Sequence, residues 1–331
     1  MTDFLRLIRL PNLIIIALTL CGVRYGLMEP VWRHAIGDML QQGYMVQGLT
    51  LHMSLNDFIL LICSIVLIAA AGYIINDYFD TRIDRINKPE QVIVGRVIKR
   101  RVAMALHLSL SSLGLLIGIY LSFKVGNWKL SFIHLFSIIA LWFYSTHLKK
   151  QLLSGNLLIS LLAALVPITA GLYEFASGSI INLNILNAYV DGMGNSLLRK
   201  GAFLVIGYSA FAFLSNLIRE IVKDIEDMEG DQADGAQTLP LAVGETQAKF
   251  ISICVVVFTI ILLAFIQKQL WLNGFVSMFW YILFAVQIPF LVLIIQIWRA
   301  LQKHDYTLAS RICKLVIVTG VLSMFVFRYT Y

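Results

Sequence analysis

Asp77, Asp80 and Asp84 share one spacing with Asp224, Asp227 and Asp231, 147 residues further along the chain. Carboxylates at i, i+3 and i+7 project from one face of a helix, so each triplet presents hard oxygen ligands of the kind that suit Mg²⁺. Six carboxylates brought together without a counter-charge repel one another, which makes cations part of any site they form. Mg²⁺ keeps several waters and bridges phosphate oxygens, whereas a Ca²⁺ cage needs a tight looped ligand set that is absent here. The ligand implied is a polyphosphate, with Asp77, Asp80, Asp84, Asp224, Asp227 and Asp231 as metal ligands. Basic residues flank the triplets: Arg82, Arg85 and Lys88 after the first, Lys149 and Lys150 between them, Arg219 and Lys223 beside the second. Together they could neutralise the oxygens of a departing diphosphate, although each alone also reads as a membrane-surface anchor.

The elements that must position these residues are transmembrane helices. Hydrophobic residues make up 59% of the chain, charged residues 14%, and mean hydropathy is +0.81, values of a polytopic membrane protein. Nine apolar runs long enough to span the bilayer lie near 12–28, 57–75, 102–124, 130–147, 153–175, 201–222, 248–267, 276–298 and 312–330. The segment TDFLRLIRLPNL, with Arg6 and Arg9 among apolar residues, reads as an interfacial helix leading into the first span at Pro11. No small-residue cleavage site follows the first apolar stretch, which argues against a signal peptide. Both triplets begin where an apolar run ends, and ionisable residues at such depth are usually paired or functional.

The N-terminus and the loops after spans two, four, six and eight carry 18 of the 26 Lys and Arg residues. The positive-inside rule makes that face cytoplasmic, puts both triplets there and leaves Tyr331 outside. The net charge of +7 is explained by such loops, and no basic run interleaved with aromatics points to nucleic acid. Cys21, Cys63, Cys254 and Cys313 lack metal-ligand spacing and read as buried apolar residues. The outward loops, about 29–56 and 176–200, are rich in Gly, Asn and Met and carry no interpretable motif. No linker divides the chain, so residues 1–331 are expected to form one helical domain. Within it, the stretches 76–89 and 223–236 align their three Asp positions without a gap, as a duplicated half would.

NDYFDTRIDRINKP, from Asn76, resembles the N-D-x-x-D-x-x-x-D signature of the UbiA-type intramembrane prenyltransferases. KDIEDMEGDQADGAQTLP, from Lys223, resembles their second acidic motif, and YSTHLKKQLLSGN, from Tyr144 to Asn156, matches the segment after span four. The resemblance covers essentially the whole chain. It implies an all-α bundle of nine helices around a central cavity, capped by two acidic loops in which two Mg²⁺ ions hold a prenyl diphosphate. By the same resemblance Asn76 joins Asp77, Asp80 and Asp84 in the first motif, Lys149 contacts the diphosphate, and Tyr144 steadies an allylic cation or orients substrate. Arg82, Lys88, Arg219 and Lys223 complete the expected diphosphate contacts. The implied chemistry is loss of diphosphate followed by capture of the allylic cation by an acceptor, in a dry cavity that Phe143, Tyr144, Tyr208 and Phe211 could line.

REIVKDIEDMEGDQADGAQTLP is most similar to the branch that transfers geranylgeranyl from its diphosphate to geranylgeranylglyceryl phosphate. Its E-G-D and G-x-x-x-L-P elements also resemble the chlorophyll-synthase branch. A second acceptor class is an aromatic ring such as dihydroxynaphthoate or hydroxybenzoate, whose carboxylate would need a basic contact. Arg24 in span one is available for that contact, although it also suits snorkelling to the outer interface. Haem farnesylation is disfavoured, since no His-rich pocket is evident. A non-enzymatic transporter is the remaining alternative, but its carboxylates would sit near the midplane, where only Pro167 and Pro289 interrupt the spans.

Overall fold

The computed structural model describes residues 2–41, 53–87, 89–189 and 195–331. Nine of the helices among them are long and apolar enough to cross a membrane. The chain opens with α1 (Thr2–Leu7), which breaks at Arg9 and resumes as α2 (Leu10–Cys21). Arg9 takes the left-handed conformation at φ 51°, the only non-glycine residue among those described to do so. Pro11 lies in the first turn of α2, where its missing N–H has no helical partner to lose. A π-helical segment, Gly22–Met28, continues this first span into α3 (Glu29–Gln41).

The next helix, α4 (Leu55–Asn87), is 33 residues long, roughly 50 Å at 1.5 Å per residue. It therefore outruns the hydrocarbon core and carries the first acidic triplet on its last turns. Four further spans follow: α5 (Arg100–Lys124), α6 (Ser131–Thr146), α7 (Ser154–Tyr189) and α8 (Asn195–Glu226). Short helices α9 (Met228–Ala233) and α10 (Leu239–Val243) carry the second motif region towards α11 (Glu245–Leu272). The eighth span is α12 (Val276–Ile282), a π-helical turn Leu283–Gln287 and α13 (Ile288–Arg299); α14 (Lys303–Thr330) is the ninth.

Leu20, Val23, Phe58, Tyr173, Phe290 and Val316 belong to the principal buried cluster. Large apolar side chains such as Phe203, Phe265 and Trp298 are exposed on the outer helix faces, as contact with lipid requires. Several polar side chains between spans are paired. His134 on α6 contacts Ser64 Oγ through Nδ1 at 2.9 Å and Tyr173 OH through Nε2 at 3.0 Å. Tyr173 OH also meets Ser122 Oγ at 2.7 Å, so α4, α5, α6 and α7 share one hydrogen-bonded network.

Several expectations are corrected. The first acidic motif is not a loop: Asp77, Asp80 and Asp84 all lie on the continuous helix α4. Arg24 does not snorkel. Its Nη1 donates to Glu174 Oε1 at 3.0 Å and its Nη2 to Met53 O at 2.6 Å, with side-chain exposures of 9% for Arg24 and 1% for Glu174. A carboxylate in span five, overlooked in the sequence, keeps the guanidinium inside. Cys63 and Cys254 are exposed on outer helix faces, whereas Cys313 is buried. Pro167 sits within α7 without ending it. Of the two outward loops, residues 29–41 are helical and 176–189 continue α7, while 42–52 and 190–194 lie outside the described residues.

Candidate active site

A cavity of about 1370 Å³ runs into the bundle from the end where both acidic motifs lie. Asp77, Asp80 and Asp84 line it from α4, as their spacing on one helix face dictates. Asn76 Nδ2 donates to Asp80 Oδ2 at 2.7 Å, fixing that carboxylate. Asp80 also forms an ion pair with Lys149, which sits on the 3₁₀ turn Leu148–Lys150 between α6 and α7. Arg9 Nη2 donates to Asp77 Oδ1 at 2.9 Å, and its guanidinium lies 5.0 Å from the Tyr73 ring centroid. The left-handed backbone at Arg9 turns the chain between α1 and α2 beside this ion pair.

The second motif approaches from α8 and α9. Asp224, on the last turn of α8, accepts from Asn156 Nδ2 at 2.7 Å. Asp227 occupies the break between the two helices, and Asp231 lies on α9. Asn87, the final residue of α4, joins the motifs. Its Nδ2 donates to Asp227 O at 3.2 Å and its Oδ1 accepts from Gly230 N at 3.1 Å. The Lys149 turn is tied to the same region: Gln237 N donates to Lys150 O at 2.8 Å, and Lys150 Nζ pairs with Asp234 Oδ2 at 2.5 Å.

Burial dominates the charge states here. The Lys149 ammonium is pushed down to about 8 by desolvation, with Asp231 the strongest opposing influence. Desolvation pushes the Asp231 carboxyl up to about 6, and the nearby Asp227 charge adds to the rise. Burial works against the Arg9 charge, but Asp77 and Tyr73 outweigh it and raise its affinity for a proton.

Below this polar mouth the cavity becomes apolar. Tyr144, Tyr208 and Phe211 line it with Ile65, Ile68 and Met324. Tyr208 is 16 residues before Asp224 on the same helix, so the lining reaches about 24 Å along α8 from the carboxylates.

Asn76, Tyr144, Lys149, Arg219, Lys223 and all six Asp residues thus line one cavity. Arg82 does not: it is exposed and outside the lining, because it falls on the opposite face of α4 from the triplet. Lys88 lies outside the described residues. Phe143 is 52% exposed on the outer face, one residue round the helix from the inward Tyr144. The sequence reading missed Arg9, Asn87, Asn156, Glu220 and Lys314. An ionisable residue inside an apolar run was the available clue for Glu220 and Lys314.

The donor set fits Mg²⁺. Both motifs supply oxygen ligands only, and Asn76 and Asn156 orient Asp80 and Asp224 without consuming their full accepting capacity. Among the described residues no three His, Cys, Asp or Glu side chains converge closely enough to hold an ion by themselves. That openness suits an ion whose remaining ligands are water and phosphate oxygens.

A model of the UbiA prenyltransferase family matches residues 43–324. The digeranylgeranylglyceryl phosphate synthase of Methanothermobacter thermautotrophicus is 34% identical over 278 residues, covering 82% of this chain and 84% of that protein. A solved structure of a digeranylgeranylglyceryl phosphate synthase aligns with TM-score 0.58 at 21% identity, covering 100% of this chain and 99% of the other. A UbiA homologue from Archaeoglobus fulgidus, bound to GPP and Mg²⁺, aligns with TM-score 0.55 at 17% identity over 97% and 99% of the two chains.

Proposed function

The chain belongs to the UbiA prenyltransferase family, and we propose that it transfers geranylgeranyl from geranylgeranyl diphosphate to the hydroxyl of geranylgeranylglyceryl phosphate. It is a prenyltransferase and an integral, multi-pass membrane protein. The observation that carries the reading is the shared cavity: two carboxylate motifs and Lys149 at its mouth, and an apolar bore behind them. We treat residues 1–331 as one prenyltransferase domain with a pseudo-repeat at 76–89 and 223–236, its motif end facing the cytoplasm.

Asp77, Asp80 and Asp84 from α4, with Asp224, Asp227 and Asp231 from the second motif, would hold two Mg²⁺ ions. Ions held there would supply positive charge against the diphosphate oxygens and make diphosphate a better leaving group. The chain's own residues do the rest. Lys149, Arg219 and Lys223 set positive charge against the oxygens, and Asn76 holds the Asp80 carboxylate in place. The apolar bore takes the prenyl tail and keeps water from the reacting carbon. Tyr144 turns its ring towards the same cavity and stabilises positive charge developing on the allylic carbon. As the C–O bond to diphosphate breaks, its electron pair leaves with the diphosphate. The acceptor hydroxyl forms the new C–O bond, and its proton passes to a diphosphate oxygen.

An aromatic acid acceptor drew on Arg24 for its carboxylate. Arg24 is engaged by Glu174 instead, which favours the lipid acceptor. Release of diphosphate from geranylgeranyl diphosphate by the purified protein tests the reading. Release should require both the lipid phosphate and Mg²⁺ and stop on chelation; its persistence under chelation overturns the metal assignment.

A further inference from the structure

The cavity has two electrostatic poles, and the prenyl diphosphate accounts for only one of them. The carboxylate pole pairs Asp80 with Lys149. The other pole is cationic and centres on Lys314 of α14. Lys314 lies 11 residues beyond the start of that helix, roughly 16 Å along its axis, and is followed by the apolar run LVIV. It is exposed to the cavity it lines and has no ion-pair partner among the described residues. The charged groups acting on it are Arg219, Lys223 and Arg9, opposed by Glu220. Glu220 is already held by Arg219 Nη1 at 2.5 Å, and Arg219 Nε is buried without a hydrogen-bond partner. Arg9 is likewise held, by Asp77 Oδ1 at 2.9 Å, which leaves Lys223 and Lys314 as the cations of this group without an ion-pair partner among the described residues, and an uncompensated ammonium at the depth of Lys314 calls for an anion.

We propose that Lys314 forms a second anion subsite that takes the phosphate of the lipid acceptor. The inference rests on the prenyl-transfer reading and adds to it where the acceptor's charged end is held. Chemistry separates the two phosphates. A diphosphate that arrives with divalent cations is drawn to carboxylates, whereas a phosphate monoester without them needs ammonium and guanidinium donors directly. The acceptor hydroxyl then lies between the two poles, facing the donor's reacting carbon.

The test uses full-length protein in detergent and two lipid probes, geranylgeranylglyceryl phosphate and its phosphate-free counterpart geranylgeranylglycerol. Binding is measured without Mg²⁺ or prenyl diphosphate. A charge-assisted hydrogen bond of this kind predicts about 10- to 100-fold tighter binding of the phosphate lipid by the wild type. Lys314→Gln should lose about tenfold of that preference with the alcohol's affinity unchanged, and Lys314→Arg should retain most of it. Unaltered phosphate-lipid binding in Lys314→Gln overturns the subsite. Equal wild-type affinity for the two lipids overturns it without any variant. Wild-type turnover reads the proposed reaction separately: no turnover alongside phosphate-selective binding overturns that reaction and leaves the subsite standing.

Discussion

The side-chain oxygen of Asn87 accepts from the backbone N–H of Gly230 at 3.1 Å, while its amide donates to the Asp227 carbonyl at 3.2 Å. One side chain at the end of α4 therefore grips the second motif between two of its carboxylates, Asp227 and Asp231. A Cβ at Gly230 would lie 2.3 Å from Asn87 Nδ2, so glycine is what lets the two segments approach. The register between the motifs depends on this contact.

Asn87→Ala should raise the Mg²⁺ concentration needed for half-maximal rate and cut turnover about 10- to 100-fold, as misplaced supporting groups around a metal site do. Gly230→Ala should give a similar loss by pushing Asn87 away. A Mg²⁺ titration of the initial rate checks both, and an unchanged half-saturation point in either variant removes Asn87 from this role.

Lys149→Ala removes the ammonium facing Asp80 and should lower kcat on the order of 100-fold, the usual scale for losing one preorganised electrostatic contact. The variant should also unfold at a lower temperature, because the buried Asp80 carboxylate loses its ion-pair partner. Steady-state kinetics on folded variant protein decide the point; wild-type kcat would return Lys149 to an anchoring role.

Gly320 of α14 faces Phe211 so closely that a Cβ there would sit 2.1 Å from Phe211 Cε1. Since Phe211 lines the apolar bore, Gly320→Ala should drive its ring into the cavity and shorten the prenyl chain accepted. The rate with the C20 diphosphate should fall relative to the C10 and C15 donors in a three-substrate comparison. An unaltered preference would mean the ring moves elsewhere or the tail runs on another side.

Arg24 and Glu174 form a buried ion pair remote in sequence from both motifs. Glu174→Ala leaves the guanidinium uncompensated and should cost about 3–5 kcal/mol of stability. A lowered unfolding temperature in detergent checks this, and an unchanged one would show that the Met53 carbonyl and the Phe58 ring suffice to hold Arg24.

The parts of this molecule governed by one helix were legible in the sequence. Nine apolar runs gave the spans, and the i, i+3, i+7 spacing put Asp77, Asp80 and Asp84 on one face. The same rule turns Arg82 away from the cavity, because a neighbour in sequence on a helix is not a neighbour in space. Residues whose roles depend on contacts between distant helices were not legible. Asn87 meets Gly230 across 143 positions and Arg24 meets Glu174 across 150, and no local pattern records either pairing. Arg9 reads in sequence as an interfacial residue, and its pairing with Asp77 across 68 positions leaves no local pattern.

Mass spectrometry of the lipid products tests the central claim most directly. The purified protein is incubated with Mg²⁺, geranylgeranyl diphosphate and an equimolar mixture of geranylgeranylglyceryl phosphate, dihydroxynaphthoate and hydroxybenzoate. The proposed function predicts a single new species, the phosphate lipid carrying a second geranylgeranyl ether, which disappears in Asp80→Ala. A prenylated ring in place of that ether lipid, or no prenylated product from folded protein, would contradict it.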